Sequence, residues 1–195
     1  MLLVCNHFGV LDPLVVASQV PLAAASKAEV RDWPLVGWVC RTMGVLFVER
    51  GRRTQTGSFV ETVQDRLHHG VHVLVFPEGT TTAERRVQPF KTGAFEAVAD
   101  LPQGAVLPLH LDVVAVEGEP ADEARRNRVV WADASVSFVQ NVWQLLGLRS
   151  VEMRLCVGAP LPTEGCDRKE LARLAHARVA ALPGGVDNFL PGVSW

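Results

Sequence analysis

His7 and Asp12 lie five positions apart in the stretch Asn6-His7-Phe8-Gly9-Val10-Leu11-Asp12-Pro13, directly after the apolar run Leu2-Leu3-Val4-Cys5. On a continuous helix, residues five apart point about 140° away from each other. The two side chains can meet only if the chain turns between them. On a loop entering a helix, the carboxylate would hold one ring N–H of the histidine and leave the other nitrogen free as a general base. The same two residues also read as a loop histidine beside an ordinary N-cap aspartate, and this stretch alone does not choose between the readings.

A second polar cluster follows another apolar run. Val71-His72-Val73-Leu74-Val75-Phe76 ends in Pro77-Glu78-Gly79-Thr80-Thr81-Thr82. Pro stops a strand ladder and Gly lets the backbone approach a ligand, so Glu78 and the threonines would line a polar pocket. A third cluster, Glu49-Arg50-Gly51-Arg52-Arg53, follows Gly44-Val45-Leu46-Phe47-Val48. It reads as a solvated turn or as an anion site, because arginine suits a forked grip on phosphate. Arg85, Arg86 and Lys91 add positive charge beside these loops, an asymmetry that suits a phosphate-bearing ligand.

Strands and helices must alternate to place these clusters together. The run before His7 predicts a buried strand, and Asp12-Pro13 predicts a helix start with Asp12 as N-cap and Pro13 at the first helical position. Strands are expected also at 21–25, 44–48, 71–76, 106–111, 129–131 and 151–157. Helices are expected at 14–17, 32–40 with Asp32 near its cap, 57–69, 92–99 and from Asp167 onward, where Asp167-Arg168-Lys169-Glu170 resembles a capping box. Residues 118–128 read as a charged surface loop, and Pro108 reads as an edge or bulge position. The pattern implies an α/β fold, a mostly parallel, mixed central sheet flanked by helices with right-handed crossovers. Its polar loops gather at the carboxyl ends of the strands, where open sheets hold ligands.

Composition bounds the rest. A chain of 195 residues with 48% hydrophobic and 21% charged residues fits one globular domain, 1–195. A net charge of −2, with no nucleic-acid-binding signature, sets nucleic acid aside as a partner. Cys5, Cys40, Cys156 and Cys166 show no metal or redox spacing, which points to reduced thiols in a cytoplasmic protein. The N-terminus has no secretory signal pattern, and no stretch reaches the roughly 18 uninterrupted apolar residues of a spanning helix.

Taken in order, the polar clusters resemble the four sequence blocks of the glycerophospholipid acyltransferase family, which includes bacterial 1-acylglycerol-3-phosphate acyltransferases. The His-four residues-Asp block is His7 through Asp12, the second resembles Gly44 through Arg50, the third is Phe76-Pro77-Glu78-Gly79-Thr80, and the fourth, weaker by itself, is Val106-Leu107-Pro108-Leu109. The resemblance implies acyl transfer from a thioester, acyl-CoA or acyl carrier protein, to the free hydroxyl of a lysophospholipid. The acceptor would be 1-acylglycerol-3-phosphate giving phosphatidic acid, or another lyso-lipid such as lyso-ornithine lipid. It implies His7 as base and Asp12 as its orienting acid, Arg50 on the acceptor's phosphate, Glu78 and Gly79 against its glycerol portion with Thr80 beside them, and Pro108 shaping the donor side. Lys91, Arg85 and Arg52 are further phosphate candidates from charge alone. No cofactor or metal is expected beyond the thioester co-substrate.

Family members often carry an apolar segment ahead of the first block, whereas here Met1 stands almost directly on the first strand. Attachment to the inner face of the membrane would then rest on side chains around Phe8, Trp33, Leu35 and Trp38. Rival readings are a serine hydrolase, which would need a Gly-x-Ser-x-Gly elbow that the chain does not contain; a two-metal phosphoesterase, whose further ligands are not evident; and a non-catalytic lipid-binding module, which would not need a base.

Overall fold

The computed structural model describes residues 1–33, 36–42, 44–48, 53–99, 101, 104–133 and 135–182. The chain runs β1 (Leu2–Cys5), α1 (Asp12–Ala17), β2 (Leu22–Lys27), a 3-10 turn (Ala28–Asp32), α2 (Val36–Thr42), β3 (Leu46–Val48), α3 (Arg53–His68) and β4 (His72–Val75). A second 3-10 turn (Gly93–Phe95) leads into α4 (Glu96–Ala99). Then come β5 (Ala105–Val116), β6 (Glu119–Pro120), α5 (Glu123–Asn127), α6 (Phe138–Leu146), β7 (Val151–Val157), β8 (Leu161–Pro162) and α7 (Arg168–Ala181).

The eight strands form one sheet in the order β3-β2-β4-β1-β5-β6, with β7 and β8 also pairing with β5. From β3 to β5 every pairing is parallel; beyond β5 every pairing is antiparallel. The parallel half explains why β1 is apolar throughout. Its strand is covered on both faces, so Leu2 and Val4 pack into one core with Val73, Val106, Val63 of α3 and Leu171 of α7, while Leu3 and Cys5 pack into the other with Leu74, Leu107, Leu109 and Val16 of α1. Burying each such side chain is worth about 1.5–3 kcal/mol. The strand that carries His7 at its end is therefore held from above and below.

The expected α/β architecture is what the chain adopts, with several local differences. The 32–40 segment splits into a 3-10 turn that ends at Asp32 and the separate helix α2, and α3 begins at Arg53 rather than at 57. Residues 129–131 are not a strand. Val129 and Val130 are buried, but the Trp131 N–H donates to the Phe8 carbonyl (2.9 Å), so this apolar run is a packed connection against the β1–α1 loop. The stretch expected to be a loop at 118–128 contains β6 and α5, the latter capped by the Asp122 side chain on the Arg125 N–H. Helix α6 is a further element beyond those expected, and Ser137 and Gln140 form the reciprocal capping box that starts it.

Pro108 occupies neither an edge nor a bulge. It lies in the interior of β5, opposite Val4 of β1. On its other side the partners change from β8, which pairs with 105–106, to β7, which pairs from Leu109 onward, and the Pro108 carbonyl accepts from the Gly158 N–H between them (2.8 Å). A missing N–H is tolerated there because no strand residue stands opposite to receive it.

Candidate active site

The β1–α1 loop is built around one carboxylate oxygen. Asp12 is the first residue of α1 and not its cap; Leu11 takes the cap position and makes no side-chain cap bond. Instead the Asp12 side chain turns back under the loop, where its Oδ2 accepts from His7 Nδ1 (2.8 Å), the Phe8 N–H (2.5 Å) and the Gly9 N–H (2.8 Å). The group is buried at 1% exposure. An ionised carboxylate is acceptor-only, so three donors converging on one oxygen fix both the loop and the ring. The His7 ring also stacks on Phe76 at 4.1 Å between centroids and 14° between planes, and its side chain remains 24% exposed. With Nδ1 donating to Asp12, Nε2 is the nitrogen left to act as a base.

Asn6 secures the loop at its root. Its Oδ1 accepts from the Leu111 N–H (2.8 Å) and its Nδ2 donates to the Leu111 carbonyl (3.0 Å), so a side chain replaces a strand at the end of β1. Gly9 allows the other side to close. A Cβ there would stand 3.2 Å from the Trp131 backbone N, closer than the neighbouring chain comfortably permits.

The loop after β4 forms the facing wall. The Thr82 N–H donates to the His7 carbonyl (3.1 Å) and the Lys91 N–H to the Pro77 carbonyl (2.9 Å), which ties the wall to the histidine's own backbone. Glu78 is buried at 4% exposure; its Oε1 accepts from the Gln88 N–H (3.1 Å), and its Oε2 accepts no hydrogen bond of good geometry among the described residues. Burial pushes its pKa up to about 7, with the Asp12 charge adding to the rise and the Gln88 and His7 backbone N–H groups opposing it. Gly79 adopts φ +76°, and a Cβ there would collide with the Lys91 ammonium and the end of its stem. Glycine thus permits both the turn and the passage of Lys91 across it.

The structure brings together five of the residues singled out from the sequence: His7, Asp12, Glu78, Gly79 and Lys91. Thr80 is exposed on the same loop, where its hydroxyl reaches the Thr81 carbonyl (3.4 Å). Pro108 lies within the sheet, level with Val4 and three residues before His7 along the neighbouring strand. Arg50 and Arg52 lie outside the described residues. Arg85 is directed to the Ala121 carbonyl (3.0 Å) with Asp112 at 4.0 Å. Among the described residues, no group of three or more His, Cys, Asp or Glu side chains is placed to hold a metal ion.

Phe8, expected among exposed apolar side chains, is 3% exposed because Arg126 covers it, with the guanidinium carbon 4.3 Å from the ring centroid. Arg126 is the site residue that sequence reasoning missed. It is itself 2% exposed and donates to the Ala83 and Glu84 carbonyls, so one side chain joins the histidine loop to the facing wall. One arginine among the three in Arg125-Arg126-Asn127-Arg128 carries no sign of burial in the sequence; only its place on the inner side of the short α5 marks it.

Residues 1–117 match the Acyltransferase family. The lyso-ornithine lipid O-acyltransferase of Brucella abortus is 33% identical over 189 residues, which cover 93% of this chain and 70% of that protein. The 1-acyl-sn-glycerol-3-phosphate acyltransferase of Neisseria meningitidis serogroup B is 25% identical over 155 residues, covering 80% and 58%. The crystal structure of the 1-acyl-sn-glycerophosphate (LPA) acyltransferase PlsC from Thermotoga maritima shares the fold with a TM-score of 0.60 and 21% identity, covering 91% of this chain and 62% of that one. The chain therefore spans 70% of the first of these proteins and less than two thirds of the other two.

Proposed function

The chain belongs to the acyltransferase family, and from that premise we propose that it transfers a fatty acyl group from an acyl thioester to the free hydroxyl of a lyso-lipid. The observation that carries the reading is the 2.8 Å contact between His7 Nδ1 and Asp12 in a loop whose other ring nitrogen is left for the acceptor. His7 Nε2 takes the hydroxyl proton as the oxygen attacks the thioester carbonyl. The C–O bond forms, the C–S bond breaks, and the imidazolium returns the proton to the departing thiolate of coenzyme A or acyl carrier protein. Asp12 keeps the ring in one tautomer and stabilises the imidazolium. Such general acid–base help is worth about 10²–10⁴-fold in rate.

An anionic group of the acceptor, the carboxylate of an ornithine headgroup or the phosphate of 1-acylglycerol-3-phosphate, would meet Lys91 beside Gly79, with Arg50 as a second cation and Glu78 facing the polar atoms near the hydroxyl. A neutral Glu78 can donate a hydrogen bond and an ionised one can only accept; a pKa of about 7 keeps both forms available. Lyso-ornithine lipid is favoured as acceptor because the likeness to enzymes of that name runs over 189 residues, against 155 for the 1-acylglycerol-3-phosphate enzyme of Neisseria. 1-Acylglycerol-3-phosphate is the second reading. The reaction would take place at the inner face of the membrane; no helix among the described residues is long and apolar enough to cross one.

Thiol release from acyl-CoA and acyl carrier protein, measured with each acceptor, tests both points. His7→Ala is expected to lower turnover about a thousandfold or more while acceptor binding persists. Unchanged turnover would refute the role of His7, and turnover with neither lyso-lipid would refute the substrate class.

A further inference from the structure

We propose that the outer face of α6 is the surface on which this protein rests on an anionic lipid bilayer, so that acceptor lipid reaches His7 without leaving the membrane plane. Five large hydrophobic side chains stand out as exposed among the described residues, and three are on this one helix: Val139 at 60%, Trp143 at 69% and Leu146 at 70%. Their spacing of four and then three places them on a single helical face. A monomer in water normally keeps such side chains scattered. Here they form a stripe ending in Leu146, with Trp143 supplying the amphipathic ring that favours the headgroup level of a bilayer.

The opposite side of α6 connects to the site. Phe138 packs against Trp33 (4.7 Å between ring centroids) and Trp131 (5.6 Å), and the Trp131 N–H is the one bonded to the Phe8 carbonyl beside His7. Asn141 and Gln144, with Trp131, Val136 and Ala83, line a recess of about 430 Å³, and Ala83 belongs to the wall that Arg126 ties to the histidine loop. One side of the helix thus faces outward while the other borders a space next to the catalytic loop. The Trp33 contact also links α6 to the segment leading into α2, where Trp38 is 60% exposed.

Charge selects the occupant. Residues 138–146 contain no acid of their own, and the first charged residue beyond them is the exposed Arg149, whose guanidinium also faces Glu117. An apolar stripe that ends in a cation is the pattern of an interfacial helix rather than of a protein–protein core. This assignment rests on the reading that the acceptor is a membrane lipid.

Sedimentation of the full chain with vesicles of phosphatidylglycerol or phosphatidylcholine, without acyl donor, tests it. The wild type should bind the anionic vesicles, and V139S/W143S/L146S should bind them about ten to a hundredfold more weakly, as the loss of two or three interfacial apolar groups implies. Its thermal midpoint should be unchanged. Arg149→Gln should weaken binding to phosphatidylglycerol and leave binding to phosphatidylcholine as it was. Equal vesicle binding by wild type and triple variant overturns the proposal, as does a wild type that binds no vesicles or a stripe whose substitution splits a dimer without affecting lipid. The result separates from that on activity. Binding lost with the stripe in a protein that transfers no acyl group sinks only the reaction, whereas turnover on a monodisperse short-chain acceptor with no effect of the stripe on vesicles sinks only the docking.

Discussion

Two loops meet at the candidate site, one after β1 and one after β4, and they treat their acids in opposite ways. In the first, Asp12 gathers three N–H donors on a single oxygen. In the second, Glu78 has one donor on Oε1, a buried Oε2 that accepts no well-formed bond, and a pKa lifted to about 7. The strands beneath them are adjacent and parallel, so position in the sheet does not cause the difference. Local turn geometry does. The β1–α1 loop points its own backbone N–H groups inward at the helix start, whereas the β4 loop turns through Gly79 and presents few donors to its acid. A saturated carboxylate suits a fixed orienting role, and an unsatisfied one suits a partner that arrives with the substrate.

Substitutions can break that contrast. The largest effect is expected at Asp12→Asn, which keeps the size of the side chain but offers an amide where three donors converge; turnover should fall about 10²–10⁴-fold with the acceptor KM changed far less. A loss confined to KM would make Asp12 a binding group and erase the distinction between the loops.

Glu78→Gln should produce a smaller effect of another kind. Because the folded-state pKa is raised from 4.5 to about 7, the wild type is favoured by a proton on Glu78 below pH 4.5 and loses that contribution as pH rises through 7. The glutamine variant has no such dependence. Relative to wild type it should therefore gain on the order of 2 kcal/mol between pH 4.5 and pH 8, read from urea unfolding at both values. A constant difference between the two proteins across that range would show that Glu78 is not held near neutrality. The smallest effect is expected at Lys91→Ala, which should raise the acceptor KM roughly three- to tenfold, with a weaker dependence on salt, and leave kcat near wild type. An unchanged KM would remove the exposed ammonium from the recognition wall and leave that task to Arg50.

The parallel half of the molecule was largely legible in the chain. Leu2-Leu3-Val4-Cys5 and His72-Val73-Leu74-Val75 are short apolar runs ended by Asn or Pro, and burial on both faces demands that composition. Loops expected at one end of the sheet allowed His7 to meet Asp12 near Glu78 and Gly79, but only the resemblance to the acyltransferase blocks chose that reading over an ordinary helix cap. The antiparallel half was harder to read. Val129-Val130-Trp131 has a strand's composition, yet its partner is a loop, a tertiary contact that local pattern does not encode. The same holds for Arg126, whose burial depends on Phe8, a residue 118 positions earlier, and for Asp12, which carries every sign of a helix cap and instead serves the turn before it. Helix α6 does leave a trace in Ser137 and Gln140, whose reciprocal capping bonds mark its start.

Asn6 gives the arrangement its mechanical character. By offering Leu111 both a donor and an acceptor, it acts as one more rung after the ladder of β1 has ended, so the backbone can swing away toward His7 without leaving β5 bare. The histidine is thereby mounted on a strut braced at its foot. Slack in that strut would reach the imidazole before it reached any other part of the sheet.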